Sequence, residues 1–202
     1  MLSRLAFALC AVTLAAAAGS APEPAPSYTL DPARSAFKFS FMQAGAATQG
    51  RFRKFSSTLR FADASLATSR VGFTLDVGSV DTGDESRDDG IKSPELFDVV
   101  KFPQARFVAN KFARVSAGRY EAIGKLTIHN VTRDQRIPFS FRTATEGGSP
   151  VSYVTGRFPI KLPDFGVGTS GEWKEAEQVT NAVTILFNLR YVATPAAATP
   201  SK

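Results

Sequence analysis

The chain carries one histidine, His129, and one cysteine, Cys10. These two counts exclude much chemistry. A Ser-His-Asp triad needs partners around its histidine, and a zinc site needs several nitrogen or sulfur ligands. His129 ends the run Lys125-Leu126-Thr127-Ile128-His129 and has the parity of Lys125 and Thr127. It reads as outward-facing and structural. The run GVGTSG at 166–171 fits G-x-G-x-x-G. A dinucleotide site also needs a buried strand before it, a helix after it and an acid about 20 residues on. Lys161-Leu162-Pro163-Asp164 precedes it and the neighbourhood of Asn188 holds no acid, so it reads as a loop at the rim of the fold. The carboxylate-rich run DTGDESRDDG at 81–90 could open a calcium loop at Asp84. Its sixth position is then Asp89, where the turn needs glycine, and Arg87 and Lys92 intrude. Its carboxylates read instead as helix caps, with Arg87 and Asp88 bridging a crossover. No nucleophile has an evident base, which argues against an enzyme, and neither a cofactor nor a metal is expected.

What remains is apolar and periodic. The chain has 17 phenylalanines, most of them at one parity of an alternating segment. Phe37, Phe39 and Phe41 share one face. Val71, Phe73, Leu75 and Val77 share another, as do Ile137, Phe139 and Phe141, and Val183, Ile185, Phe187, Leu189 and Tyr191. Further strands are predicted near Phe52, over 59–61, 106–112, 119–128 and 151–160. Two short helices are predicted, SPELFD at 93–98, with Ser93 as N-cap and Pro94 at the first helical position, and EWKEAEQ at 172–178. Asn130-Val131-Thr132 reads as a turn. Eight or nine long antiparallel strands with one apolar face make an all-β sandwich or a closed barrel. Periodicity alone does not choose. The same inward residues suit a packed core or the lining of a lipid cavity, since apolar contact alone holds an apolar chain.

The ends bound the domain. Arg4, an apolar run from Leu5 to Ala18 and small residues at Ala18 and Ala21 form a signal peptide, so residues 1–21 are expected to be removed and the protein exported. Cys10 leaves with them, and Leu9 before it does not suit a lipid-anchor site. Residues 22–27 are a Pro/Ala spacer, 28–192 the domain and 193–202 a low-complexity tail. The formal net charge of +6 is scattered along the strands without a dense cluster. That pattern gives a solvated basic surface, with transient contact to an anionic membrane surface as the other reading and no nucleic-acid partner.

Five ordered blocks carry a resemblance: YTLDPARSAFKFSF, GRFRKFSSTLRF, RDDGIKSPELFDVVKFPQARF, GKLTIHNVTRD and PDFGVGTSGEW. Together they resemble the YceI-like family of small exported lipid-binding proteins over roughly residues 28–192. The resemblance implies an antiparallel eight-stranded lipocalin-like barrel in the bacterial periplasm that holds a polyisoprenoid, an isoprenoid quinone or another long-chain lipid without catalysis. Phe37, Phe39, Phe41, Phe73, Leu75, Phe139, Phe141, Ile185, Phe187 and Leu189 are the expected lining. Arg34, Gln43, Arg87 and Lys92 are the candidate head-group contacts. Arg34 and Gln43 stand where many family members have histidine, which points to a different head group here. A homodimer is left open. The rival readings are a hydrolase or other enzyme acting on a lipid or sugar, and a structural or interaction barrel without ligand.

Overall fold

Alternating residues place one face of each strand in the interior, and closure of the sheet then removes its long edges. The computed structural model describes residues 23–43, 45–169 and 182–194. Its strands are β1 (Ser27–Gln43), β2 (Ala46–Phe52), β3 (Phe55–Arg60), β4 (Arg70–Asp76), β5 (Val80–Asp81), β6 (Gln104–Ser116), β7 (Arg119–Ile128), β8 (Val131–Glu146), β9 (Ser149–Lys161) and β10 (Ala182–Ala193). The sheet order is β10-β9-β8-β7-β6-β4-β3-β1-β2-β5, and β1 also pairs with β10. β2 and β3 act as one wall strand broken at Arg53 and Lys54. β2 pairs with the second half of β1, and β3 pairs with the start of β1 and with β4. The wall is thus a closed antiparallel eight-stranded barrel, with β5 added beside β2.

Two irregularities matter for the interior. Between Asp31 and Ala36, β1 slips against β10, from Asp31 opposite Arg190 to Ala36 opposite Asn188. Residues 32–35 stand against Leu189 alone and bulge from the wall where β2 and β3 are also interrupted. A second bulge near Asn110 switches the inward parity of β6 from Ala105, Phe107 and Ala109 to Phe112. The core is the inner face itself, with Leu59, Phe107, Leu126, Phe139, Phe158, Ile185 and Leu189 all buried. Burial of each such side chain is worth about 1.5–3 kcal/mol.

The α-helix lies just before the predicted one. Helix α1 spans Glu85–Lys92, and Asp84 caps it by accepting from the Arg87 N–H. Ser93 is its C-cap in extended conformation, as expected before Pro94, and residues 94–97 form turns rather than a helix. The predicted helix at 172–178 lies outside the described residues. His129 does not continue β7. With Asn130 it forms a left-handed turn (φ 49° and 64°), and its ring lies 4.1 Å from that of Phe102. Strand parity therefore does not apply to it, and it is only partly exposed. Two cross-strand partners are glycines for a packing reason. A Cβ at Gly50 would overlap the Phe39 ring, and one at Gly156 would overlap Phe187 and lie 2.5 Å from the Pro138 carbonyl oxygen.

Candidate functional site

The inner faces of β1, β3, β4 and β6 to β10 enclose an apolar cavity of about 120 Å³. Seven of the ten expected lining residues border it: Phe37, Phe73, Leu75, Phe139, Ile185, Phe187 and Leu189. The other three lie elsewhere. Phe39 and Phe41 stack on each other at 6.1 Å beside Phe52. Phe141 packs on Phe61 at 4.7 Å and against Tyr28, in an aromatic plug that also includes Phe112, Tyr120 and Phe139. That plug occupies the end of the barrel where β1 begins.

The middle of the cavity is walled by a second aromatic group. Phe37 stacks on Phe73 at 4.8 Å and faces Phe187 at 6.4 Å, while Phe55 lies 5.8 Å from Phe73. Phe37, Phe55, Phe73 and Phe187 are only partly buried, unlike the plug residue Phe61, which is fully enclosed. Of these, Phe37, Phe73 and Phe187 border the cavity, and Phe55 backs Phe73.

None of the described residues lining the cavity is a carboxylate or an imidazole. Arg106 borders it, but its guanidinium donates to the Gln104 side chain among exposed groups. The side-chain hydroxyls of the lining belong to Ser57 and Tyr191. The Tyr191 phenol donates to Ser57 Oγ at 2.8 Å, and burial pushes its pKa up to about 12 against the opposing effect of that bond. Sequence reading placed Tyr191 on the inward face but gave Ser57 no role. Its hydroxyl becomes notable only when the barrel brings β3 across to β10.

The candidate head-group residues do not converge on the cavity. Arg34 sits on the β1 bulge, exposed, 4.0 Å from Asp31 and 3.7 Å from Glu146. Arg87 pairs with Asp84 at 3.5 Å and Lys92 with Asp89 at 3.2 Å, both within the α1 segment. Asp88 accepts from the Thr82 backbone and hydroxyl, tying α1 to the end of β5. The side chain of Gln43 lies outside the described residues.

Beside Arg34 the bulge covers a cluster that the sequence did not announce. Arg190, 7% exposed, donates to Asp31 at 2.6 Å and to Glu146 at 2.9 Å. Its backbone N–H donates to Ser35 Oγ, and Ser35 donates to the Asp31 carbonyl. Tyr153 donates to the other Glu146 oxygen. That bond first, and Arg190 next, hold the Glu146 carboxyl below its usual range. The cluster lies on the outer face, since Arg190 alternates with the inward Leu189 and Tyr191. It fastens β10 to the bulge and to the β8–β9 turn. Among the described residues no group of three or more His, Cys, Asp or Glu side chains could hold a metal ion.

Comparison with known proteins places this geometry. BcnA from Burkholderia cenocepacia is 34% identical and superposes with a TM-score of 0.73, covering 80% of this chain and 98% of that one. A polyisoprenoid binding domain from Saccharophagus degradans implicated in plant cell wall breakdown is 17% identical. Its TM-score of 0.63, over 84% of this chain and 99% of that one, shows the shared fold. A UPF0312 protein of Pectobacterium atrosepticum is 28% identical over 174 residues, 84% of this chain and 89% of its own. A UPF0312 protein of Vibrio parahaemolyticus is 31% identical over 126 residues, a match that spans 66% of its length and 61% of this chain. The YceI-like domain matches residues 28–191, the full circuit of the wall from the first residues of β1 to Tyr191 of β10, and so this chain belongs to the YceI-like family.

Proposed function

We infer that the protein binds a long apolar molecule inside the barrel, without catalysis, and that this ligand is an isoprenoid or a similar long-chain lipid. One observation carries the reading: an apolar cavity bounded by partly exposed aromatic rings, with no carboxylate or imidazole among the described residues that line it. The structural likeness to a polyisoprenoid binding domain supports the same ligand class. Apolar burial suffices energetically, because each buried methylene contributes about 0.8 kcal/mol. The signal-like residues 1–21 favour a periplasmic site of action, and the basic charge of the remaining chain favours brief contact with anionic lipid surfaces during exchange.

The small volume of the cavity favours a second reading, a packed barrel that needs no ligand. A dry cavity of about 150 Å³ holds one benzene ring. The present cavity therefore accepts about one isoprene unit, and a longer chain must displace rings. Uptake of prenyl chains of graded length by delipidated protein separates the two readings. Affinity should rise with each added unit and then level off. Affinity independent of length, with no lipid in an organic extract of the native protein, would overturn the lipid reading.

A further inference from the structure

We propose that the Ser57 hydroxyl is the polar anchor of the bound ligand, donating to a neutral ligand oxygen held inside the barrel: a carbonyl, an ether or an ester, and not a phosphate. The proposal rests on the apolar-ligand reading above and adds the ligand's orientation and head-group class.

The hydrogen-bond ledger of one residue carries it. Tyr191 spends its proton on Ser57 Oγ, so Ser57 serves there as acceptor. The serine proton is not given to any acceptor among the described residues; the side chain borders the cavity, whose present surface is apolar, so the hydroxyl meets a ligand once the neighbouring rings move. A hydroxyl in an apolar wall is costly to leave half-used, and a ligand oxygen is the group that completes it. Tyr191 keeps the serine in that orientation. Its phenol is 1% exposed and remains protonated at any physiological pH. Fold geometry puts the pair at an apt place. Ser57 is the cross-strand partner of Phe73, whose ring stacks on Phe37, so ligand entry that displaces this stack reaches the hydroxyl. The pair also lies beside the bulge, where β1 leaves both of its neighbours between residues 31 and 36.

Exclusion of phosphate follows from the cations. Arg34, Arg87 and Lys92 lie outside the cavity lining, Arg34 paired with Asp31 and Glu146, Arg87 with Asp84 and Lys92 with Asp89. Arg106 borders the cavity, but its guanidinium is exposed and bound to Gln104, so among the described residues a phosphate drawn into the barrel would meet no counter-charge on the inner face, and burial of such a group without one is prohibitive.

The test uses delipidated full-length barrel and three probes with equal prenyl chains: a hydrocarbon, a methyl ketone and a monophosphate. The wild type should bind the ketone about threefold to tenfold tighter than the hydrocarbon, the range of one net hydrogen bond. The monophosphate should bind weakest. Ser57→Ala should bring the ratio of ketone to hydrocarbon affinity to about one, and Ser57→Thr should retain the wild-type ratio. The infrared carbonyl stretch of a carbon-13-labelled ketone should move to higher frequency in Ser57→Ala, which a merely structural serine would not cause. Equal ketone and hydrocarbon affinity in the wild type, an unmoved carbonyl band or tightest binding of the monophosphate refutes the anchor and leaves apolar binding intact. Failure of all three probes to bind refutes the apolar-ligand reading and the anchor with it.

Discussion

Leu75→Trp measures how much of the barrel interior is ligand space. Leu75 is 7% exposed, on the inward face of β4, and borders the cavity. Indole in place of the isobutyl group adds about six heavy atoms, close to the content of the benzene that fills a dry cavity of about 150 Å³. The 120 Å³ here is slightly smaller, so the ring fills it with little repacking. In a core without space, overpacking costs about 1–3 kcal/mol, and here the cost should fall at or below the low end of that range. The ligand suffers more. Losing room for one isoprene unit removes burial of roughly five carbons, about 4 kcal/mol at 0.8 kcal/mol each, or about a thousandfold in affinity. Denaturant titration of delipidated protein reads the first quantity, and calorimetric titration with a prenyl probe reads the second. A stability loss above about 3 kcal/mol combined with unchanged probe affinity would show that the lining is a packed core and that the ligand goes elsewhere.

Further outcomes follow from the same geometry. Gly156→Ala drives a methyl group into the Phe187 ring and towards the Pro138 carbonyl, and should destabilise the barrel by about 1–3 kcal/mol on denaturant titration. Because the folded-state pKa of Tyr191 is raised from 10.0 to about 12, its contribution is complete below pH 10 and is lost as the pH rises through 12. At about 1.4 kcal/mol per pH unit this is roughly 2–3 kcal/mol, so Tyr191→Phe should flatten the alkaline limb of the stability profile. The Glu146 carboxyl is held below its ordinary value of 4.5, so its contribution is present above that value and lost as the pH falls through the lower folded pKa. Thermal melts at descending pH should therefore show a shallower acid limb in Glu146→Gln than in the wild type.

Much of the wall was legible because a strand repeats every two residues. The alternation at Phe37, Phe39 and Phe41, at Ile137, Phe139 and Phe141, and along β10 marks the inward faces without reference to pairing. Closure was not legible in this way, since a sandwich and a barrel share the same period; the resemblance supplied that choice. Periodicity also misjudged depth. Phe39, Phe41 and Phe141 have the inward parity of their neighbours, yet packing against other rings sets them apart from the cavity. The change of parity between Phe107 and Phe112 hides a bulge, which no residue count within one strand reveals. The α-helix begins earlier than Ser93-Pro94 predicts: Asp84 caps it, and Pro94 holds the residue before it in extended conformation. Pairs such as Tyr191 with Ser57, and Arg190 with Asp31, bridge 134 and 159 residues, so only the register brings them into view.

The arrangement of aromatic rings divides the barrel into a fixed part and a displaceable part. Phe61 is fully enclosed and makes ring contacts with Phe112, Tyr120, Phe139 and Phe141, so moving it would break several contacts at once. Phe37, Phe73 and Phe187 keep partial exposure, and their stacking is worth about 0.5–1.5 kcal/mol per pair beyond burial. A single isoprene unit, at about 4 kcal/mol, outweighs the loss of one or two such pairs. A growing chain would therefore open the barrel at the Phe37–Phe73 side and stop at the Phe61 plug. Depth, and with it the chain length at which affinity levels off, is then set by the plug. Shrinking the plug by Phe61→Leu should shift that plateau to longer chains, whereas Phe73→Leu should raise affinity for short chains and leave the plateau where it was.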